Sequence, residues 1–155
     1  KALAIDNTAA KNYITRYFER FAGVKQYMDD TIEQARAKGY TETLFGRRRQ
    51  IPELNNPNFR IKQAGERQAM NAGIQGLAAD IFKIALVRID KSIAQAKLKS
   101  AVILQVHDEV LVECPVSEKD QINEIVLHEM KNAASLKVPL EVNAAWGDSW
   151  ASAKA

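Results

Sequence analysis

The sequence predicts an α+β chain in which antiparallel strands are covered by helices on one face. Three observations lead there. Apolar residues recur at helical spacing over several long stretches, and two pairs of short β-prone runs flank tight links. The order along the chain is helices, hairpin, long helices, hairpin, helix, strand.

Tyr13, Ile14, Tyr17, Phe18 and Phe21 mark one face of a first helix from about 7 to 22, with Asn7 as its N-cap and Gly23 as its end. A second helix, about 24 to 38, carries Val24, Tyr27, Met28, Ile32 and Ala35 on one face and is closed by Gly39. Residues 40–44 and 48–51 flank Phe45-Gly46-Arg47 as a short hairpin, Gly46 taking the strained turn position. Pro52 to Pro57 is a loop. From Phe59 to about Gln95 the pattern is helical again, but Gly73 and Gly76 each cost about 1 kcal/mol relative to Ala, which predicts a break or kink. Beyond it Phe82, Ala85, Leu86, Ile89 and Ile93 form an apolar face. Ala101 to Val106 and Val110 to Cys114 are near-continuous apolar runs that pair as a second hairpin. Ser117 caps a helix to about Leu136, with Ile122, Ile125, Val126, Met130 and Ala133 in phase. Val138 to Trp146 supplies a last strand, and Gly147 to Ala155 a tail.

With 155 residues, 46% hydrophobic and 26% charged, the chain has enough apolar sequence for one ordinary folded domain and is not of the disordered class. The 22 basic residues exceed the 19 acidic ones by three, too few to announce a nucleic-acid binder by net charge. The single cysteine, Cys114, excludes a disulfide framework and a cysteine zinc site and points to a reducing compartment. No apolar run approaches the ~18 residues of a membrane span and no greasy leader opens the chain, so a soluble, intracellular protein with no membrane partner is expected. Lys1 falls inside a helical pattern, which reads as a cut rather than a natural start.

Charge is unevenly spread. From Arg36 to Arg67 eight basic residues face three acidic ones, and from Asp108 to Asp148 nine acids face three lysines, local charges of +5 and −6. Such asymmetry fits a polyanion held on one side with cation-binding acids on the other, or simply two solvated faces of opposite sign.

The second hairpin breaks local rules. Its tip, Gln105-Val106-His107-Asp108-Glu109, offers no Gly, Asn or Pro and sets His, Asp and Glu between apolar strands, a conflict typical of functional sites. Two adjacent carboxylates there disfavour ionisation unless a cation balances them, and oxygen ligands suit Mg²⁺ or Mn²⁺. Successive residues of an extended chain point to opposite faces, so one of Asp108 and Glu109 should be the principal ligand. A solvated turn with outward charges is the competing reading. On the preceding helix Arg67, Asn71 and Gln75 stand at i, i+4 and i+8, a row of hydrogen-bond donors. Minor-groove edges present acceptors at every base pair, so this row can grip a duplex without reading its sequence, and Arg47, Arg48 and Arg49 can add phosphate contacts. Each group also reads as an ordinary polar surface. Asp29-Asp30, on an amphipathic helix, is read as a solvated face.

Gln105-Val106-His107-Asp108-Glu109 resembles the palm motif C of the DNA polymerase I family (family A), and Thr43-Leu44-Phe45-Gly46-Arg47-Arg48-Arg49 resembles its fingers-side hairpin. The stretch from Glu66 to Ile81 is similar to the family's long palm helices. Val138-Pro139-Leu140 and Trp146-Gly147-Asp148-Ser149-Trp150 resemble its C-terminal strand and tail. The matching stretches come in the family's order and cover almost the whole chain.

The resemblance implies an antiparallel palm sheet with the motif C hairpin, packed by long helices and preceded by fingers-side helices and a β-hairpin. Residues 1–58 would be a partial fingers subdomain and 59–155 the C-terminal half of the palm. By the same likeness Asp108 is the metal-binding aspartate, Glu109 its less essential neighbour and His107 a residue near the primer terminus. Arg67, Asn71 and Gln75 correspond to primer-template contacts. The implied reaction is attack of a primer 3′-hydroxyl on the α-phosphorus of a deoxynucleoside triphosphate, with two Mg²⁺ ions, Mn²⁺ being possible, in replication or repair. Primer-template DNA and deoxynucleoside triphosphates are the implied partners, and a bacterial cytoplasm, at the nucleoid, the implied place. Neither the family's motif A aspartate nor its nucleotide-binding helix is found in these residues. The chain therefore reads as a C-terminal piece that needs further N-terminal polymerase segments and is catalytically silent alone, a primer-template-binding module.

Overall fold

The computed structural model describes residues 6–154, which fall into two compact units divided between Leu77 and Ala78. Among the described residues the regular elements are helices and two small antiparallel hairpins, the α+β class expected from the patterning. Among the described residues no helix is long and apolar enough to cross a membrane.

In the first unit, α1 (Asn7–Arg20) is capped by Asp6 rather than Asn7: the Asp6 carboxylate accepts the Ala9 N–H at 2.6 Å. Asp6 keeps extended backbone while Asn7 is already helical, and that places the Asp6 oxygen over the free N–H groups of the first turn. The helix ends at Phe21, not at Gly23, which lies in the first turn of α2 (Ala22–Lys38). Gly39 closes α2 as expected, at φ 80° with its N–H on the Ala35 carbonyl. Asp29 and Asp30 bond to Lys25 and Gln26 of their own helix at 2.5 and 2.6 Å, the solvated face anticipated. No α1 residue is buried, and its Tyr13, Ile14 and Tyr17 face solvent.

β1 (Tyr40–Glu42) pairs antiparallel with β2 (Arg48–Gln50). The strands are shorter than the sequence suggested because the Thr43 hydroxyl accepts the N–H groups of Phe45 and Arg47, folding residues 43–47 into the turn with Gly46 at φ 82°. A 3-10 turn over Pro52–Asn55 leads to α3 (Phe59–Gln95), and Ala35, Ile51, Leu54 and Ala69 form the small core of this unit.

The expected break in α3 is absent; one helix of 37 residues runs through both glycines. A Cβ built on Gly73 would stand 3.2 Å from the Tyr27 hydroxyl, and one on Gly76 would stand 2.8 Å from Thr43 Cγ2 and 3.1 Å from Arg47 Nη2. These glycines are where α2 and the first hairpin approach the helix, so packing overrides a local propensity cost. We expect Gly76→Ala to lose about 1 kcal/mol, since overpacking against the buried, hydrogen-bonded Thr43 exceeds the propensity gain. At Gly23 nothing lies within 4 Å of the added carbon, so Gly23→Ala gains a few tenths of a kcal/mol. Denaturant midpoints of the two variants should shift in opposite directions.

In the second unit the end of α3 is closed by Lys97 at φ 55°, with Leu98 N–H on the Ile93 carbonyl and Lys97 N–H on the Ala94 carbonyl, the paired bonds of a Schellman cap. β3 (Ala101–Val106) and β4 (Glu109–Glu113) pair antiparallel, with a bulge between Val102 and Leu104. Beneath them lie Ile89 and Ile93 of α3 and Ile122 of α4 (Lys119–Lys131), with Val102, Val110, Val112, Ile125, Val126 and Met130 packed around.

Ser117 does not cap α4. It lies in a 3-10 turn, Val116–Glu118, and the helix stops at Lys131, where the Asn132 amide donates to the His128 carbonyl at 2.8 Å. Glu118 occupies the cap position but turns its carboxylate to the N–H groups of Lys99 and Ser100 and to the Ser100 hydroxyl, tying the start of β3 to the start of α4. Nor is Val138 to Trp146 a strand: it runs as irregular chain with no ladder to any described strand, and Pro139 has no N–H to contribute. The expected tail contains a short helix, α5 (Trp150–Ala153), held by a capping box between Ser149 and Ser152.

The Ser100 hydroxyl and the Lys99 N–H hold the Glu118 carboxyl below the ordinary 4.5. With the folded value below the unfolded one, the stabilisation is complete above the unfolded value and fades as pH falls through the folded one. The melting temperature should therefore drop more steeply on acidification below pH 4.5 than that of Glu118→Gln, which starts lower at neutral pH.

Candidate functional site

The candidate residues fall into two groups, one in each compact unit. In the first, Arg67, Asn71 and Gln75 are exposed on α3, while Ala69 and Ala72 of the same stretch are buried. Each step of four residues rises ~6 Å and turns the side chain only ~40° further, so with the helix unbroken the three lie along one strip ~12 Å long. Among the described residues none of the three makes a hydrogen bond or ion pair. They are free donors on a rigid rod.

The three arginines of the first hairpin differ. Arg47 donates from Nη2 to the Gly76 carbonyl at 2.6 Å, fastening the hairpin to α3. Arg48 bonds Glu42 and lies over the Tyr40 ring at 4.7 Å; the Glu42 carboxylate, chiefly, raises its already high pKa. Arg49 has the weakest tie, 3.4 Å to the Gln68 side-chain oxygen. All three remain exposed.

In the second unit, Val106 and Glu109 close a two-residue turn made of His107 and Asp108. His107 takes φ 52° and Asp108 does not share a positive φ, the sign pattern of a II′ turn whose first position normally belongs to Gly. A non-Gly residue held there stores ~1–3 kcal/mol. Gln105 braces it, its amide donating to the His107 carbonyl at 2.9 Å. The rule-breaking tip read from the sequence is thus a strained turn.

That turn separates the two carboxylates in kind. Asp108 is exposed and has no partner among the described residues. Glu109 opens β4, is half-buried, and pairs with Lys154 at 2.9 Å. No group of three or more His, Cys, Asp and Glu able to hold a metal exists among the described residues. One free carboxylate fits part of the oxygen shell of a Mg²⁺ or Mn²⁺ ion and leaves most of that shell to water or to other molecules. The sequence reading missed Lys154 altogether; the Ser149-x-x-Ser152 spacing was the available signal that the tail folds back as a capped turn.

The family model for DNA polymerase family A matches residues 1–152. DNA polymerase I of Mycobacterium leprae is 50% identical over 151 residues, which are 97% of this chain and 17% of that protein. The DNA polymerase I proteins of Lactococcus lactis and Streptococcus pneumoniae are 45% and 46% identical over 98% of the chain, again 17% of their own lengths. The chain thus spans about a sixth of these relatives. Among solved structures, the POL domain of Pol1 from M. smegmatis, in complex with DNA primer-template and dNTP, matches 99% of this chain and 27% of its own at 45% identity and a TM-score of 0.96.

Proposed function

Because this chain belongs to DNA polymerase family A, we propose that it is the part of a template-directed DNA polymerase that grips the primer-template duplex and presents one metal-binding carboxylate. The unpartnered donor strip of Arg67, Asn71 and Gln75 carries this reading. Long donors fixed at helical spacing suit acceptors that every base pair presents in the minor groove, giving grip without sequence preference. Arg49, the least engaged of its run, is best placed to add a phosphate contact, and Arg47 and Arg48 add positive charge beside it. On this reading residues 1–58 belong to the fingers and 59–155 to the second half of the palm, and the whole protein works on DNA in the bacterial cytoplasm.

Asp108 is the residue that would hold a divalent ion, Mg²⁺ or Mn²⁺, with Glu109 as its near neighbour. Divalent ions in a pair supply Lewis acidity, lowering the pKa of the primer 3′-hydroxyl and stabilising the leaving oxygens of the triphosphate. His107 stands beside Asp108 at the apex of the turn, where a primer end brought to Asp108 would lie. Because the hairpin tip offers one free carboxylate, and no group of three or more possible metal ligands exists among the described residues, the 155 residues alone bind duplex but extend nothing.

Duplex binding tests the grip. Fluorescence anisotropy with primer-templates of different sequence should show Arg67→Ala weakening binding about tenfold or more and Gln75→Ala about fivefold, equally for every sequence. Binding that ignores both changes, or responds to them for only some sequences, overturns the assignment.

A further inference from the structure

Building on Asp108 as the metal-bearing carboxylate, we infer that Lys154 is a positioning residue that keeps Glu109 away from the ion, so that the hairpin tip offers one carboxylate and not two. Among the described residues the Lys154 ammonium meets Glu109 Oε1 at 2.9 Å and the face of the Trp150 ring at 5.0 Å. Its backbone is held as well. Lys154 N–H bonds the Ala151 carbonyl, and the reciprocal Ser149–Ser152 bonds fix the first turn of α5. The chain can fold back so tightly because residue 147 is glycine; a Cβ there would come within 2.4 Å of Ser152 Oγ and 2.6 Å of Ala153 N.

The consequence is electrostatic. Adjacent carboxylates on a turn would both attract a cation, and their ligand sets would compete. An ammonium seated on Glu109 cancels that charge locally and leaves the Asp108 oxygens bare. The pair is about half exposed on both sides, so it biases Glu109 rather than locking it.

The test is a Mn²⁺ titration of the chain by electron paramagnetic resonance, with paramagnetic broadening of backbone amides as a second readout. Broadening should centre on residues 107–109, and Glu109→Gln should change the affinity less than twofold. Lys154→Met should tighten Mn²⁺ binding about two- to fivefold, Lys154→Arg should restore the parental value, and Glu109→Gln should erase the gain in the Lys154→Met background. Unchanged affinity in Lys154→Met, or a gain that survives Glu109→Gln, refutes the inference while leaving Asp108 its role. If Mn²⁺ leaves residues 107–109 unbroadened and Asp108→Asn binds it no less well, the metal assignment itself falls and this inference with it.

Discussion

Under the proposed polymerase function, changing Asp108 to Asn in a polymerase containing these residues should lower primer extension by ~10³-fold or more while duplex affinity stays within a few-fold. The side chain is exposed and unpartnered among the described residues, so nothing in the fold depends on its charge, and Asn keeps its shape. What Asn removes is an anionic oxygen able to hold a divalent ion. Stabilisation of developing charge by such ions amounts to several kcal/mol, and each 1.36 kcal/mol is tenfold in rate, so ~4 kcal/mol gives ~10³. Glu109→Gln should cost no more than about tenfold, since Glu109 is already satisfied by Lys154. Single-turnover extension measures the first quantity and anisotropy the second. Near-normal extension by Asp108→Asn would remove this residue from the chemistry.

The contrast between those two carboxylates shows how far the sequence could be read. Period-2 alternation gives Asp108 and Glu109 different directions, whereas in the structure they differ because Asp108 lies in the turn and Glu109 opens β4 against Lys154, 45 residues further on, which no local pattern connects to the hairpin. The same holds elsewhere. Gly39 and Gly46 were legible because a left-handed residue at a helix end or turn is a local requirement. Gly73 and Gly76 break no helix because their reason is the approach of Tyr27 and Thr43, distant in the chain and invisible to propensity. Ser117 looked like a cap until Glu118 found better donors at Lys99 and Ser100. The expected last strand failed for a related reason: apolar alternation shows that a segment can pair, and only a neighbouring strand makes it do so.

Ile89→Ala should destabilise the second unit by about 3–4 kcal/mol, and Ile89→Val by about 1 kcal/mol. Ile89 is fully buried, with Ile93 and Ile122 beside it and the inner residues of both strands and of α4 around it, so its missing carbons leave a void that a crowded site cannot refill. A two-stranded ribbon is marginal in water, and this one also carries the strain of His107 at positive φ. A loss of this size is a large fraction of the 5–15 kcal/mol typical of a whole domain, and it falls on the element that presents Asp108. Denaturant unfolding should give the stated shifts, with Val87→Ala, half-exposed on the same helix, moving the midpoint by about 0.5 kcal/mol or less. Amide exchange at Val102 and Val112 should quicken in Ile89→Ala before that in the first unit does. Should Ile89→Ala cost no more than Val87→Ala, the hairpin must be supported by something other than this cluster.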